Sequence, residues 1–254
     1  MEGRKAMSNI KNGQFWLGDC LELMKNIPDG SVDMILCDLP YGTTACKWDS
    51  VIPFAPLWEQ YNRIAKPKAA IVLTASQPFT TALIMSQIDK FKYCWVWDKK
   101  KSGNIFLAKY QPMKVHEDVC IFAKESPSYY PQMIKLDKIR KSKNYGTGFA
   151  MGGLKKKENK TYEYTHKNPT SIFTFSNADQ NKKFHPTQKP VELFEYLIKT
   201  YTNEGETVLD NCAGSGTTAI AAENTGRKWI CIEQDPAYYY QAVARVWNHA
   251  KPQA

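Results

Sequence analysis

The sequence predicts an α/β fold: a doubly wound, mostly parallel, seven-stranded sheet carrying one inserted region. Three observations support this. Seven apolar runs have strand length, helical apolar periods lie between several of them, and both patterns fail over about 125–184. With 254 residues, 43% of them hydrophobic, the chain can bury a sizeable core.

The first run, QFWLGD (14–19), ends in a Gly-Asp-Cys turn, and VDMILCD (32–38) stops at Asp38. Over 53–65, Phe54, Leu57, Trp58, Tyr61 and Ile64 recur at three- and four-residue steps. That is an amphipathic helix, with Pro53 acceptable at its first position. The runs AAIVLTA (69–75), YCWVWD (93–98) and EDVCIFAK (117–124) follow. Over 190–202, Pro190 precedes Val191, Phe194, Leu197, Ile198 and Tyr201 on one helical face. The last strands are TVLDNCA (207–213) and KWICIEQD (228–235). A final helix, about 236–250, is expected to bury Tyr240, Val243, Ala244 and Trp247.

Of the formal net charge of +9, residues 131–183 supply +8, with twelve Lys/Arg against four Asp/Glu. Tyr129, Tyr130, Tyr145, Phe149, Tyr162, Tyr164, Phe173 and Phe175 are interleaved with or flank these charges, whereas linkers are usually poor in aromatics. A DNA-facing insertion is the expectation; a solvated lysine-rich loop is the plain alternative. No apolar run approaches the roughly 20 residues of a membrane-spanning helix. The start, MEGRKAMSNI, lacks the apolar core of a secretory signal. The seven cysteines are odd in number and contain no C-x-x-C pair, so neither a disulfide framework nor a zinc site is expected. A reducing cytoplasm fits this usage.

Residues 207–218, TVLDNCAGSGTT, run from a strand through Asp210 and a small-residue loop into a helix start. A phosphate-binding loop would need lysine after the last glycine, and none follows Gly216. A dinucleotide loop and an adenosyl-methionine loop both remain open. Glu233, at the end of the next strand, is positioned to accept ribose hydroxyls in either case.

Three stretches together narrow the choice: DLPYG (38–42), HPTQKP (185–190) and DNCAGSGTT (210–218). With them the chain resembles the amino-methyltransferases of DNA, which methylate adenine N6 or cytosine N4. The motif order is similar to the β group, with the catalytic motif first, target recognition next and the cofactor loop last. The resemblance implies a class I adenosyl-methionine-dependent methyltransferase sheet divided into a catalytic half (8–124), a target-recognition insertion (125–184) and a cofactor half (185–254). It also implies S-adenosyl-L-methionine as cofactor, duplex DNA as partner and, as in many β-group enzymes, a homodimer.

On this resemblance Asp38 and the Leu39 carbonyl accept hydrogen bonds from the target amine, Pro40 restrains Leu39 toward extended backbone, and Tyr41 stacks on the flipped base. Leu39 departs from the usual proline, but at a position whose backbone carbonyl carries the role. Asp210, Cys212, Ala213, Gly214, Ser215, Gly216 and Thr217 would line the methionine side. Glu233 would hold the ribose, Asp19 and Cys20 would lie near the adenine, and Thr187, Gln188 and Lys189 would meet the methionine carboxylate. Lys99, Lys100, Lys101, Lys155, Lys156 and Lys157 are candidates for phosphate contacts. His185 has no accompanying Cys/His cluster, and no metal is expected. Aspartate at the first motif position points to adenine N6, since cytosine-N4 enzymes more often carry serine there. Cytosine C5 chemistry would need a Pro-Cys pair, which is missing. A non-catalytic DNA-binding homologue, and an RNA or protein amide methyltransferase, are the alternatives from other classes.

Overall fold

The computed structural model describes residues 6–43, 49–103, 105–143, 161–176 and 188–250. The chain divides into two compact units, one formed by 1–130 with 171–254 and one by 131–170. Eleven strands occur among the described residues: β1 (Ala6–Ile10), β2 (Gly13–Leu17), β3 (Val32–Asp38), β4 (Ala65–Ala75), β5 (Phe91–Asp98), β6 (His116–Phe122), β7 (Ile134–Lys143), β8 (Thr161–Lys167), β9 (Ile172–Thr174), β10 (Thr207–Asp210) and β11 (Lys228–Glu233). Six α-helices accompany them: α1 (Cys20–Met24), α2 (Phe54–Ile64), α3 (Phe79–Met85), α4 (Val191–Tyr201), α5 (Thr217–Asn224) and α6 (Pro236–Ala250).

In the larger unit nine strands form one sheet, ordered β1-β2-β11-β10-β3-β4-β6-β5-β9. Every predicted strand is in it, but the expected count of seven and the extent of parallel pairing need correction. β1 and β9 are additional; MSNI and IFT are too short or too polar to announce a period. The run β2-β11-β10-β3-β4 is parallel, whereas β1 pairs antiparallel with β2, and β6 pairs antiparallel with both β4 and β5.

Alternation along the central strands distributes side chains to two cores. Met34, Leu36, Ala70 and Val72 face the cluster formed with α4, α5 and α6, while Ile35, Cys37, Ile71 and Leu73 face the cluster with α2 and α3. Leu57, Trp58, Tyr61 and Ile64 of α2 are buried as the spacing requires, and so are Phe194, Leu197, Ile198 and Tyr201 of α4. The face expected for α6 is wrong. Tyr239, Ala242 and Val246 are buried, whereas Tyr240 and Trp247 are 62% and 52% exposed. Aromatic residues occur all round this helix, so composition could not select the face; packing of Tyr239 against Phe15 at 5.5 Å selects it.

The expected insertion is divided between the units. Residues 131–170 contain the antiparallel hairpin β7-β8, while β9 pairs in parallel with β5 in the main sheet. The hairpin residues Lys135, Lys138, Arg140, Lys141 and Lys167 are exposed, and Tyr162 and Tyr164 share that exposure.

The end of the sheet is closely packed. A Cβ added at Gly13 of β2 would come within 2.1 Å of the Trp229 ring, which is 1% exposed and donates its indole N–H to Glu223. Gly13→Ala is therefore expected to destabilise the protein by about 1–3 kcal/mol, read as a lower urea midpoint at unchanged slope. An unchanged midpoint would show that Trp229 has room to move.

Candidate active site

Chain connections run in opposite directions from the β3/β10 pair: β3 continues through α2 to β4, and β10 through α5 to β11. Open α/β sheets form a crevice at such a switch point, outside the carboxyl ends of the strands. A cleft of about 290 Å³ lies there, within the larger unit. Asp38, Leu39, Pro40 and Tyr41 line it, together with Asp19, Cys20, Gln188, Lys189, Asp210, Cys212, Ala213, Gly214, Ser215, Thr217 and Glu233.

Asp38 ends β3 opposite Thr74 of β4. Its Oδ1 accepts hydrogen bonds from the Tyr41 hydroxyl at 2.8 Å and from the Thr74 hydroxyl. Its Oδ2 lies 2.9 Å from the Lys189 ammonium. The Tyr41 ring is backed by Phe79 in a stacked contact, with centroids 5.1 Å apart. Burial, then the charge of Asp38, holds the Tyr41 phenol well above its ordinary pKa, so it stays a donor. Leu39 is 4% exposed and packs in the core cluster behind the cleft. Asp49 pins the backbone beyond the motif, accepting the amides of Gly42 and Thr43 at 2.9 Å each.

The Lys189 side chain is 9% exposed and also lies 3.2 Å from Glu117 Oε2. Tyr41 and Trp97 flank its ammonium, with ring centroids at 5.7 and 6.0 Å. Burial favours loss of its proton, but the Asp38 and Glu117 carboxylates outweigh this and raise its pKa. Glu117 in turn holds Lys99 through Oε1 at 3.0 Å. Burial pushes the Glu117 pKa up, and the two ammoniums bring it below the ordinary value. The Lys189 ammonium is committed to carboxylates of the chain itself, and Lys99 is an interior ion-pair partner with a side chain only 17% exposed. Lys100 and Lys101 are exposed.

The glycine loop is shaped by its own hydrogen bonds. Asp210 is 3% exposed; its Oδ1 accepts the Cys212 amide at 3.0 Å and its Oδ2 the Thr218 hydroxyl. Burial pushes its pKa up to about 7, against these hydrogen bonds. Glu233 accepts the amides of Gly214 and Asp235, each at 2.8 Å, and burial raises its pKa too. Asp19 caps α1 through the amides of Leu21 and Glu22. Gly216 has φ +73° and points its missing Cβ at Phe15, Ala242 and Val246; it is needed for the turn and the core rather than as part of the cleft lining.

Thr187, Lys155, Lys156 and Lys157 lie outside the described residues. Thr74, Asp49 and Glu117 were not singled out in the sequence. Glu117 opens a predicted strand, and in a parallel sheet it would lie at the far edge. Because β6 runs antiparallel to β4, its first residues reach the edge where β3 and β4 end. Among the described residues, no group of three or more His, Cys, Asp or Glu is arranged to hold a metal. No described helix is long and apolar enough to cross a membrane.

The DNA methylase family of N6/N4 methyltransferases matches residues 32–244. DNA adenine methyltransferase YhdJ of Escherichia coli (strain K12) is 29% identical over 247 residues, covering 90% of this chain and 81% of that protein. Among solved structures, the PvuII DNA methyltransferase (cytosine-N4-specific) superposes with a TM-score of 0.68 at 18% identity, covering 95% of this chain and 93% of the other. The M1.HpyAVI–SAM complex superposes at 0.62 with 22% identity, covering 92% and 99%.

Asp210 has a measurable signature. Its folded pKa of about 7 lies above its ordinary 3.8, so its contribution to stability is fully present below about pH 4 and is lost as pH rises through about 7. Asp210→Asn should therefore gain about 2–3 kcal/mol on the parent protein between pH 5 and pH 8, at ~1.4 kcal/mol per unit. Urea unfolding at the two pH values checks this; a constant difference between the proteins would refute it.

Proposed function

Because the chain belongs to the DNA methylase family, we propose that it transfers a methyl group from S-adenosyl-L-methionine to the exocyclic N6 of an adenine flipped out of duplex DNA. The observation that carries this reading is the setting of Asp38. Tyr41 and Thr74 hold one carboxylate oxygen, and the carboxylate lines the cleft beside the stacked Tyr41 ring.

An aromatic amine is a poor nucleophile because its lone pair is delocalised into the ring. Asp38 and the Leu39 carbonyl, both at the cleft, draw the amine's hydrogens outward and favour a tetrahedral nitrogen whose lone pair can attack. Tyr41, supported from behind by Phe79, offers a stacking surface that offsets part of the cost of unstacking the base, a few kcal/mol by usual estimates. When bound, the cofactor supplies an electrophilic methyl group.

The cleft suits that cofactor. Gln188 Oε1 is buried with no hydrogen-bond partner among the described residues, an acceptor matched to an α-ammonium group. Each Glu233 oxygen accepts one amide, leaving lone pairs for ribose hydroxyls. Gly214, Ser215 and Thr217 bring the start of α5 to the same cleft, where backbone amides suit a carboxylate. Asp19 and Cys20 line the cleft and remain candidates for the adenine side.

For DNA, the hairpin β7-β8 offers exposed lysines, an arginine and tyrosines, the residue types that hold phosphates and stack on bases. In the larger unit, Lys100 and Lys101 are exposed as well. Aspartate at position 38 favours adenine over cytosine N4, the runner-up chemistry on the same scaffold.

Nucleoside mass spectrometry of duplex DNA treated with the protein should find N6-methyladenine. N4-methylcytosine alone would transfer the reading to cytosine. Asp38→Ala should lower kcat by about 10²-fold or more while retaining cofactor binding. Leu39→Pro should keep turnover near the parent value, because the acceptor there is a main-chain carbonyl.

A further inference from the structure

We propose that Lys189 is a positioning residue for Asp38, and that Glu117 and Lys99 hold its ammonium in place and balance its charge. The proposal rests on the methyl-transfer reading of the cleft. Its basis is an unbroken chain of alternating charges: Asp38 to Lys189 at 2.9 Å, Lys189 to Glu117 at 3.2 Å, and Glu117 to Lys99 at 3.0 Å. Two strands (β3 and β6), the residue that follows β5 and the segment entering α4 supply these groups.

The groups facing Asp38 define the electrostatics. Cys37 precedes it on β3, with a thiol pushed up to about 12 by burial and neutral at ordinary pH. Tyr41 is neutral for the same reason, and Thr74 is an uncharged donor. From β10, Asp210 adds partial negative charge, and from β6 Glu117 adds its own on the far side of the same ammonium, 3.2 Å from it. Among these groups Lys189 is the only cation. Without it, Asp38 would face two carboxylates, and like charges favour protonation. A protonated carboxyl is neutral and turns one acceptor oxygen into a donor, so it would hold the target amine less well.

Lys189 alone would carry a penalty as well. The reaction develops positive charge on the amine beside Asp38, and an uncompensated ammonium 2.9 Å from that carboxylate would oppose it. Glu117 faces the same ammonium and offsets it. Lys99 offsets Glu117 in turn, so two carboxylates and two ammoniums alternate within a largely water-excluded row.

The test is the pH dependence of kcat in Lys189→Met, Glu117→Gln, Lys99→Met and the Lys189→Met/Glu117→Gln pair, with cofactor Kd measured by calorimetry. In Lys189→Met the acid limb should move up by about one pH unit or more, because Asp38 loses its opposite charge. Glu117→Gln should move it down, and the pair should return it toward the parent value. Cofactor Kd should stay within about threefold throughout, since the ammonium is committed to carboxylates of the chain. A Kd raised about tenfold with an unmoved limb would make Lys189 a ligand of the cofactor carboxylate and overturn the proposal. If Lys189→Met does not fold, Lys99→Met decides: this residue lies outside the cleft lining, and its loss should move the limb up by a smaller amount. An unmoved limb there also overturns the proposal. Absence of methylated base with the parent protein would instead refute the methyl-transfer reading itself.

Discussion

The cleft depends on one buried ammonium. Lys189 sits among Asp38, Glu117 and two aromatic rings with 9% of its side chain exposed. Removing one member of a buried pair typically costs about 3–5 kcal/mol, because the partner is left charged and unsolvated. Residues 38, 117 and 189 are therefore bound to a common arrangement despite their separation along the chain. Asp38 is held on its other oxygen by Tyr41 and Thr74, which restricts the carboxylate to one orientation. Two motifs that read as separate stretches of sequence, DLPYG and HPTQKP, thus meet in one ion pair.

The opposite wall of the cleft is organised by internal hydrogen bonds. Asp210 and Glu233 stand at the carboxyl ends of neighbouring parallel strands, and each accepts backbone amides from the loops that follow. Carboxylates so placed stiffen the loops, and burial raises the pKa of both against their hydrogen bonds. Gly216 adds the left-handed turn from which α5 begins, against Phe15 and Val246. The cradle is formed by the chain itself, a condition for binding without a large ordering cost.

Charge is segregated in the same manner. The interior row near Lys189 is balanced, while the excess positive charge of the chain lies mainly in 131–183. The hairpin of that segment exposes Lys135, Lys138, Lys141, Lys167, Tyr162 and Tyr164, and among its residues of described burial none is buried. Two-stranded hairpins are marginal alone, so residues of this kind are placed for surface chemistry rather than for a core.

Much of this was legible in the sequence. Strand-length apolar runs and three helical periods located most of the larger unit, because burial on both faces leaves a strong local signature. Residues 38–41 and the loop after β10 stood out because strand-end turns carry glycine, proline and carboxylates at characteristic positions. What the sequence could not supply was direction. Whether β6 runs with or against β4 decides whether Glu117 reaches Lys189, and strand direction leaves no mark on apolar period. Lys99 illustrates the same limit: within KKK it has the composition of a surface residue, yet pairing across β5 and β6 buries it on Glu117. The face of α6 was also decided only in three dimensions, since aromatic residues surround the helix and Phe15 selects Tyr239. By itself the sequence determined seven strands of the main sheet, three of the helices, the motifs and the segment that carries the charge. Tertiary structure decided which charges neutralise one another, because ion pairing depends on distances of about 3 Å between residues far apart in the chain.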